Sequence, residues 1–175
     1  MKIPHYTIPE YVGMVSDTLQ SAGFEAYLVG GCVRDVMKGT EPNDWDVTTN
    51  ATPEQIQEIF EHTYYENTFG TVGVVVDDPD HEYVSSAAPG EIGYPLGEVE
   101  VTPYRLEGAY SDNRHPDEVR FSQNLEDDLK RRDFTINAMY YDITNHEVLD
   151  FCGGIDDLKN KNMYIKSNSY LFRYF

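Results

Sequence analysis

Apolar side chains at Ile8, Val12, Val15 and Leu19 recur near helical spacing and Gly23 follows them, which predicts an amphipathic helix over residues 9–22. An apolar run at 26–29 then predicts a strand over 25–29. Gly30 and Gly31 end it, turning the chain without a Cβ penalty and starting a short helix at Cys32. Residues 39–43 read as a loop and 45–48 as a strand. Thr52, followed by Pro53, caps a helix running to Phe60. Alternating positions over 68–76 and 98–105 predict two paired strands. The stretch between them, residues 77–97, mixes Pro, Gly, Ser and acidic residues without an apolar period and reads as a long hairpin loop. Residues 125–137 read as the start of a helix, and 140–143 with 148–151 as a last hairpin turned at 144–147. No internal repeat is visible.

Composition narrows the class. A chain of 175 residues fits one domain and can bury a core. No apolar stretch approaches a membrane span, and the start MKIPHYTIPEYV lacks a signal-peptide pattern, so the expectation is a cytoplasmic protein. Cys32 and Cys152 stand far apart without metal-ligand spacing, and a disulfide is not indicated. The balance of 31 acidic against 13 basic residues, net −18, repels a polyanion, so this chain alone should bind nucleic acid weakly. Lys130, Arg131 and Arg132 form the only basic cluster, and Glu126, Asp127, Asp128, Asp156 and Asp157 read as solvated surface.

Candidate chemistry concentrates in LVGGCVRDVMKGTEPNDWDVTT, residues 28–49. A turn at Gly30 and Gly31 that opens a helix presents backbone N–H groups to a phosphate. Asp44 and Asp46 flank Trp45, and in a strand positions i and i+2 share one face. Two such carboxylates repel unless a cation lies between them, and Mg2+ suits them because it takes oxygen ligands from one or two carboxylates plus substrate phosphates. Taken alone, the glycine pair is an ordinary turn and Asp-x-Asp an ordinary solvated loop. Their succession, with Arg34 and Asp35 between them, points to phosphate transfer.

The LVGG, VRD, G and DWD elements, in this order and spacing, resemble the signature of the polymerase-beta nucleotidyltransferase superfamily, and within it the class II branch of CCA-adding tRNA nucleotidyltransferases and bacterial poly(A) polymerases. Further segments resemble that branch: VEVTPYR at 99–105, YSDNRHPDEVRF at 110–121, LEDDLKRRDFTINAMYYD at 125–142 and FCGGIDDLKNK at 151–161. The resemblance covers roughly residues 22–161. It implies an α+β fold, a mixed and mainly antiparallel sheet flanked by helices, with residues 1–161 as a catalytic head. It further implies two-metal transfer of CMP or AMP from CTP or ATP to a tRNA 3' end, with Asp44 and Asp46 as metal ligands and Glu100 as third carboxylate. Gly30, Gly31, Arg34, Arg132 and Asp133 would hold the nucleotide, Arg132 facing phosphate or ribose and Asp133 orienting it. Arg105, Asp112 and Arg114 match family positions and are expected in structural salt links, while Asn137 is expected to bond within its own turn. His115 stands where the family often has arginine.

The departure comes at 162–175, NMYIKSNSYLFRYF, where the family continues into a neck helix with a Glu-Asp-x-x-Arg template motif that this sequence lacks. Tyr170, Leu171, Phe172, Tyr174 and Phe175 make an aromatic cluster there instead. Three readings follow: the head of a CCA-adding or polyadenylating enzyme, which the intact Asp44, Asp46 and Glu100 favour; a small nucleotidyltransferase acting on a protein or small molecule; and a non-catalytic nucleotide-binding module.

Overall fold

The first helix, α1 (Glu10–Ser21), forms where the periodicity predicts and buries Val12, Val15, Ser16 and Leu19. It stops at Gly23, whose φ of +91° lets the N–H groups of Gly23 and Phe24 bond back to Gln20 and Leu19. The computed structural model describes residues 8–65, 69–77, 95–108, 119–166 and 171–172. Strand β1 (Ala26–Val29) leads through Gly30 into α2 (Gly31–Lys38), and β2 (Asp46–Thr49) leads into α3 (Pro53–Ile59). Thr52 closes a reciprocal capping box with Gln55 at the start of α3. Thr52→Ala should therefore cost about 1 kcal/mol, read as a lower denaturation midpoint with an unchanged m-value.

Strands β3 (Thr63–Tyr65), β4 (Val72–Asp77) and β5 (Pro95–Pro103) follow, then the small hairpin of β6 (Arg105–Glu107) and β7 (Val119–Phe121). After α4 (Leu125–Arg131) and a single 3-10 turn (Thr135–Asn137), β8 (Met139–Asp142) and β9 (Glu147–Asp150) form the expected hairpin, and α5 (Gly154–Lys159) comes next. A two-residue pair, β10 (Ile165–Lys166) with β11 (Leu171–Phe172), is the last described structure.

Seven strands make one sheet in the order β3-β4-β5-β2-β1-β8-β9, antiparallel except for the parallel pair β2 and β5. The mixed, mainly antiparallel sheet flanked by helices is thus present. Its alternation separates two faces. Leu28, Val47, Val72, Val74, Val99, Val101, Met139 and Tyr141 point into a core with Val12, Val15 and Leu19 of α1, Val33 and Val36 of α2, and Ile56 of α3. The alternate positions, Tyr27, Asp46, Thr48, Glu98, Glu100, Thr102 and Tyr140, make the other face, where Asp128 of α4 and Arg132 at its end meet Tyr140.

Several local expectations differ: residues 69–71 precede β4 instead of belonging to it, and the strand expected over 98–105 ends at Pro103, with Arg105 opening β6 of a separate sheet. β3 carries no signal in the sequence, because three residues with two exposed tyrosines give no alternation. Residues 95–97, read as loop, extend β5 opposite β4. The helix over 125–137 breaks at Arg132, whose ψ of 136° is extended, and Asp133 Oδ1 accepts from the Phe134 N–H beyond the break. Most of the 77–97 loop, Asp112, Arg114, His115, Tyr170, Tyr174 and Phe175 lie outside the described residues. Among the described residues no helix is long and apolar enough to cross a membrane.

Candidate active site

At the end of β1 the glycine pair does what its chemistry suggests. Gly30 has φ +78° and ψ −140°, a conformation for glycine, and a Cβ placed on it would lie 3.2 Å from Asp46 Oδ2 and 3.9 Å from Arg132 Nη1. The turn, the second aspartate and the basic side chain from α4 thus converge on one point. Helix α2 starts at Gly31, with its first N–H groups beside that point. Cys32 is buried directly behind it, its thiol donating to the Val29 carbonyl. Burial pushes that thiol up to about 11, so it is a packing residue and not a nucleophile at neutral pH.

Asp46 and Glu100 are register partners on the parallel strands β2 and β5. With adjacent strands about 4.8 Å apart, both carboxylates rise from the same face as neighbours. Asp44, in the bend before β2, is exposed and shares with Glu100, Glu98, Asn43, Trp45 and Tyr11 a cavity of about 280 Å³ ahead of the start of β2 and beside β5. Among the described residues no three Asp, Glu, His or Cys side chains close into a metal cage. An open array of carboxylate oxygens beside the Gly30 turn is nevertheless the donor set that suits Mg2+, which keeps several waters and completes its shell with substrate phosphates. The carboxylates Asp44, Asp46 and Glu100 fit that ion in the kind of donor they offer.

Arg34 takes a role other than the phosphate fork expected of it. Its Nε and Nη2 hold Asp35 at 2.9 and 2.8 Å, and Nη1 donates to Asn137 Oδ1 at 2.9 Å. The guanidinium is thereby laid over Gly31, whose added Cβ would sit 3.4 Å from Nη2. It brings positive charge to the turn while its bidentate edge is occupied by Asp35, whose carboxyl the Arg34 hydrogen bond holds below its usual range. Asn137, expected to serve only its own turn, is the anchor that reaches Arg34 across the fold.

The orienting carboxylate for Arg132 is likewise not Asp133. Asp133 is exposed and accepts from Phe134 N–H. The partner is Asp128, which had read as solvated surface and is 0% exposed. Asp128 Oδ2 accepts from Arg132 Nε at 3.0 Å and Nη2 at 2.9 Å, and from the Tyr140 hydroxyl at 3.0 Å. Its Oδ1 accepts from Arg131 at 2.8 and 2.6 Å. Burial acts to raise the Asp128 carboxyl, yet Arg132 and Arg131 outweigh it and hold the group below the ordinary carboxylate range. Arg132 also lies over the Tyr140 ring, 5.5 Å from its centroid. Arg131 is turned away to Asp128 and Glu107, and Arg105 pairs with Glu107 at 2.7 Å, the structural salt link expected of it.

The poly A polymerase head domain family matches residues 26–164. The chain is similar to the CCA-adding enzyme of Lactobacillus helveticus, 41% identical over 147 residues, which make up 83% of this chain and 32% of that protein. It superposes on the crystal structure of the Bacillus stearothermophilus CCA-adding enzyme in complex with CTP with a TM-score of 0.69 and 31% identity, over 93% of this chain and 34% of that one. A tRNA nucleotidyltransferase complexed with a primer tRNA and an incoming ATP analog aligns with 89% of this chain and 39% of its own, at 26% identity and a TM-score of 0.56. The chain spans about a third of the length of the curated relatives it matches.

Proposed function

The chain belongs to the poly A polymerase head domain family, and on that premise we propose that it is the nucleotidyl-transferring head of a cytoplasmic CCA-adding enzyme. It moves CMP or AMP from CTP or ATP to a tRNA 3' end. The observation that carries this reading is the meeting of Gly30, Asp46 and Arg132 at one point, with Glu100 in register beside Asp46. In the reaction the acceptor 3'-hydroxyl oxygen forms a bond to the α-phosphorus as the bond to pyrophosphate breaks, the two oxygens in line.

The N–H groups at the start of α2 face the phosphates, and the turn admits them because Gly30 and Gly31 carry no side chain. Arg132 offers a guanidinium held rigid by Asp128, and Arg34 adds charge at the turn. Asp133, exposed beside Arg132, would supply a ribose or base contact. Asp44 and Asp46, with Glu100 on the acceptor side, would hold Mg2+, which would supply positive charge to the transferring phosphate. The net charge of −18 makes RNA affinity weak for this stretch of chain, so the acceptor is gripped mainly at its end.

The test is incubation with labelled CTP or ATP, magnesium and tRNA lacking its CCA end, beside Asp44→Ala. The expected result is incorporation by the parent and its loss in the variant. Equal magnesium-dependent triphosphate binding by both proteins would remove Asp44 from the metal set. Triphosphate binding without transfer to any tRNA, but with transfer to a protein or small-molecule acceptor, would replace the tRNA reading.

A further inference from the structure

The sheet register draws a line across four strands. Tyr64 pairs with Gly73, Gly73 with Glu100, and Glu100 with Asp46, so the four residues stand in one row on the polar face. Gly73 is a gap in that row which the Tyr64 ring fills, since a Cβ at Gly73 would overlap it. The Tyr64 hydroxyl donates to the carboxylate of Glu98, two residues before Glu100 and part of the same cavity. Tyr64 is thus fixed at both ends, yet 41% exposed. Fixing an exposed aromatic in one orientation prepares a flat apolar surface for a ligand.

Direction identifies the ligand. The triphosphate turn lies on the β1 side of Asp46, whereas Tyr64 lies on the other side, three strands away in the order β2-β5-β4-β3. In-line displacement needs the attacking hydroxyl opposite the leaving pyrophosphate, so the acceptor strand enters over β5 and β4. At about 4.8 Å per strand the Tyr64 backbone is roughly 14 Å from that of Asp46, and the ring reaches back towards Glu98. The surroundings are acidic, Glu98 and Glu100 rather than lysines, so an RNA end held here is held by its bases and not by its phosphates.

We propose that Tyr64 is the stacking platform for the last base of the single-stranded acceptor end, placing its 3'-hydroxyl at Glu100 and Asp46. This rests on the polymerising reading above. Stacking tolerates any base, which suits an acceptor whose end changes with each nucleotide added.

The experiment measures initial rates with the 175-residue chain against varied acceptor and varied triphosphate. Tyr64→Ala should raise the acceptor KM about tenfold and leave the triphosphate KM unchanged. Tyr64→Phe, which keeps the ring, should stay within about twofold, and Tyr65→Ala, on the opposite face of β3, should match the parent. An acceptor whose terminal nucleotide lacks its base should lose a similar factor with the parent and nothing further with Tyr64→Ala. An unchanged acceptor KM, an equal rise in triphosphate KM, or additive losses in that cycle would overturn the platform while leaving the transferase reading intact. A parent that incorporates nothing into any RNA would remove both, and is distinguished by that.

Discussion

Asp46→Asn should lower nucleotide incorporation on the order of 10³-fold, equivalent to about 4 kcal/mol of lost transition-state stabilisation. The substitution keeps shape and one oxygen but removes the charge at the point where Gly30, Arg132 and the Glu100 register meet. Its effect on folding should be small. Asp46 is half-buried at the start of β2, and in the absence of a cation its carboxylate lies beside that of Glu100, a like-charge neighbour whose repulsion the asparagine relieves. In magnesium-free buffer the variant should therefore melt within about 3 °C of the parent. Added magnesium and triphosphate should then raise the melting temperature of the parent alone, since only a state that binds ligand is stabilised by it. Incorporation within tenfold of the parent would show that Asp46 is not a ligand of the reacting phosphate's counter-ion.

What could be read from the chain was local. The Gly-Gly turn and the alternation around Glu100 each express a single element's geometry and sit where that geometry places them, whereas Asp44 falls in a bend before β2 and does not share a strand face with Asp46. The core was legible for the same reason, as Val12, Val15 and Leu19 follow the period of one helix. What escaped depends on contacts between elements far apart in sequence. Asn137 meets Arg34 across 103 residues, and nothing near either one announces it. Tyr64 joins the row of Glu100 and Asp46 only through the register of three successive strand pairs. Asp128 was concealed differently, inside the acidic run LEDDLKRRD that looks like a solvated helix face. One signal was available there: Asp128 precedes Arg131 and Arg132 by three and four residues, the spacing at which side chains meet on a helix. Only the packing of α4 over Tyr140 turns that surface pair into a buried one.

That burial makes Asp128→Ala strongly destabilising, at about 3–5 kcal/mol. The loss does not come from one ion pair. Arg131 and Arg132, 14% and 12% exposed, would be left close together without the carboxylate that separates their charges, and the Tyr140 hydroxyl would lose its acceptor. For a chain of this size the melting temperature should fall by roughly 6–20 °C. Glu126→Ala, two residues earlier on the exposed side of α4, should change stability by no more than about 0.5 kcal/mol. Acid gives an independent check. The folded Asp128 carboxyl is held below its unfolded value, so its contribution is complete above the ordinary carboxylate range near pH 4 and is lost as pH falls through the folded value. The gap in stability between the parent and Asp128→Asn should therefore be widest near neutral pH and shrink on acidification towards pH 3. A gap that stays constant across that range would mean that the carboxylate's charge is not what holds Arg132 against the Gly30 turn.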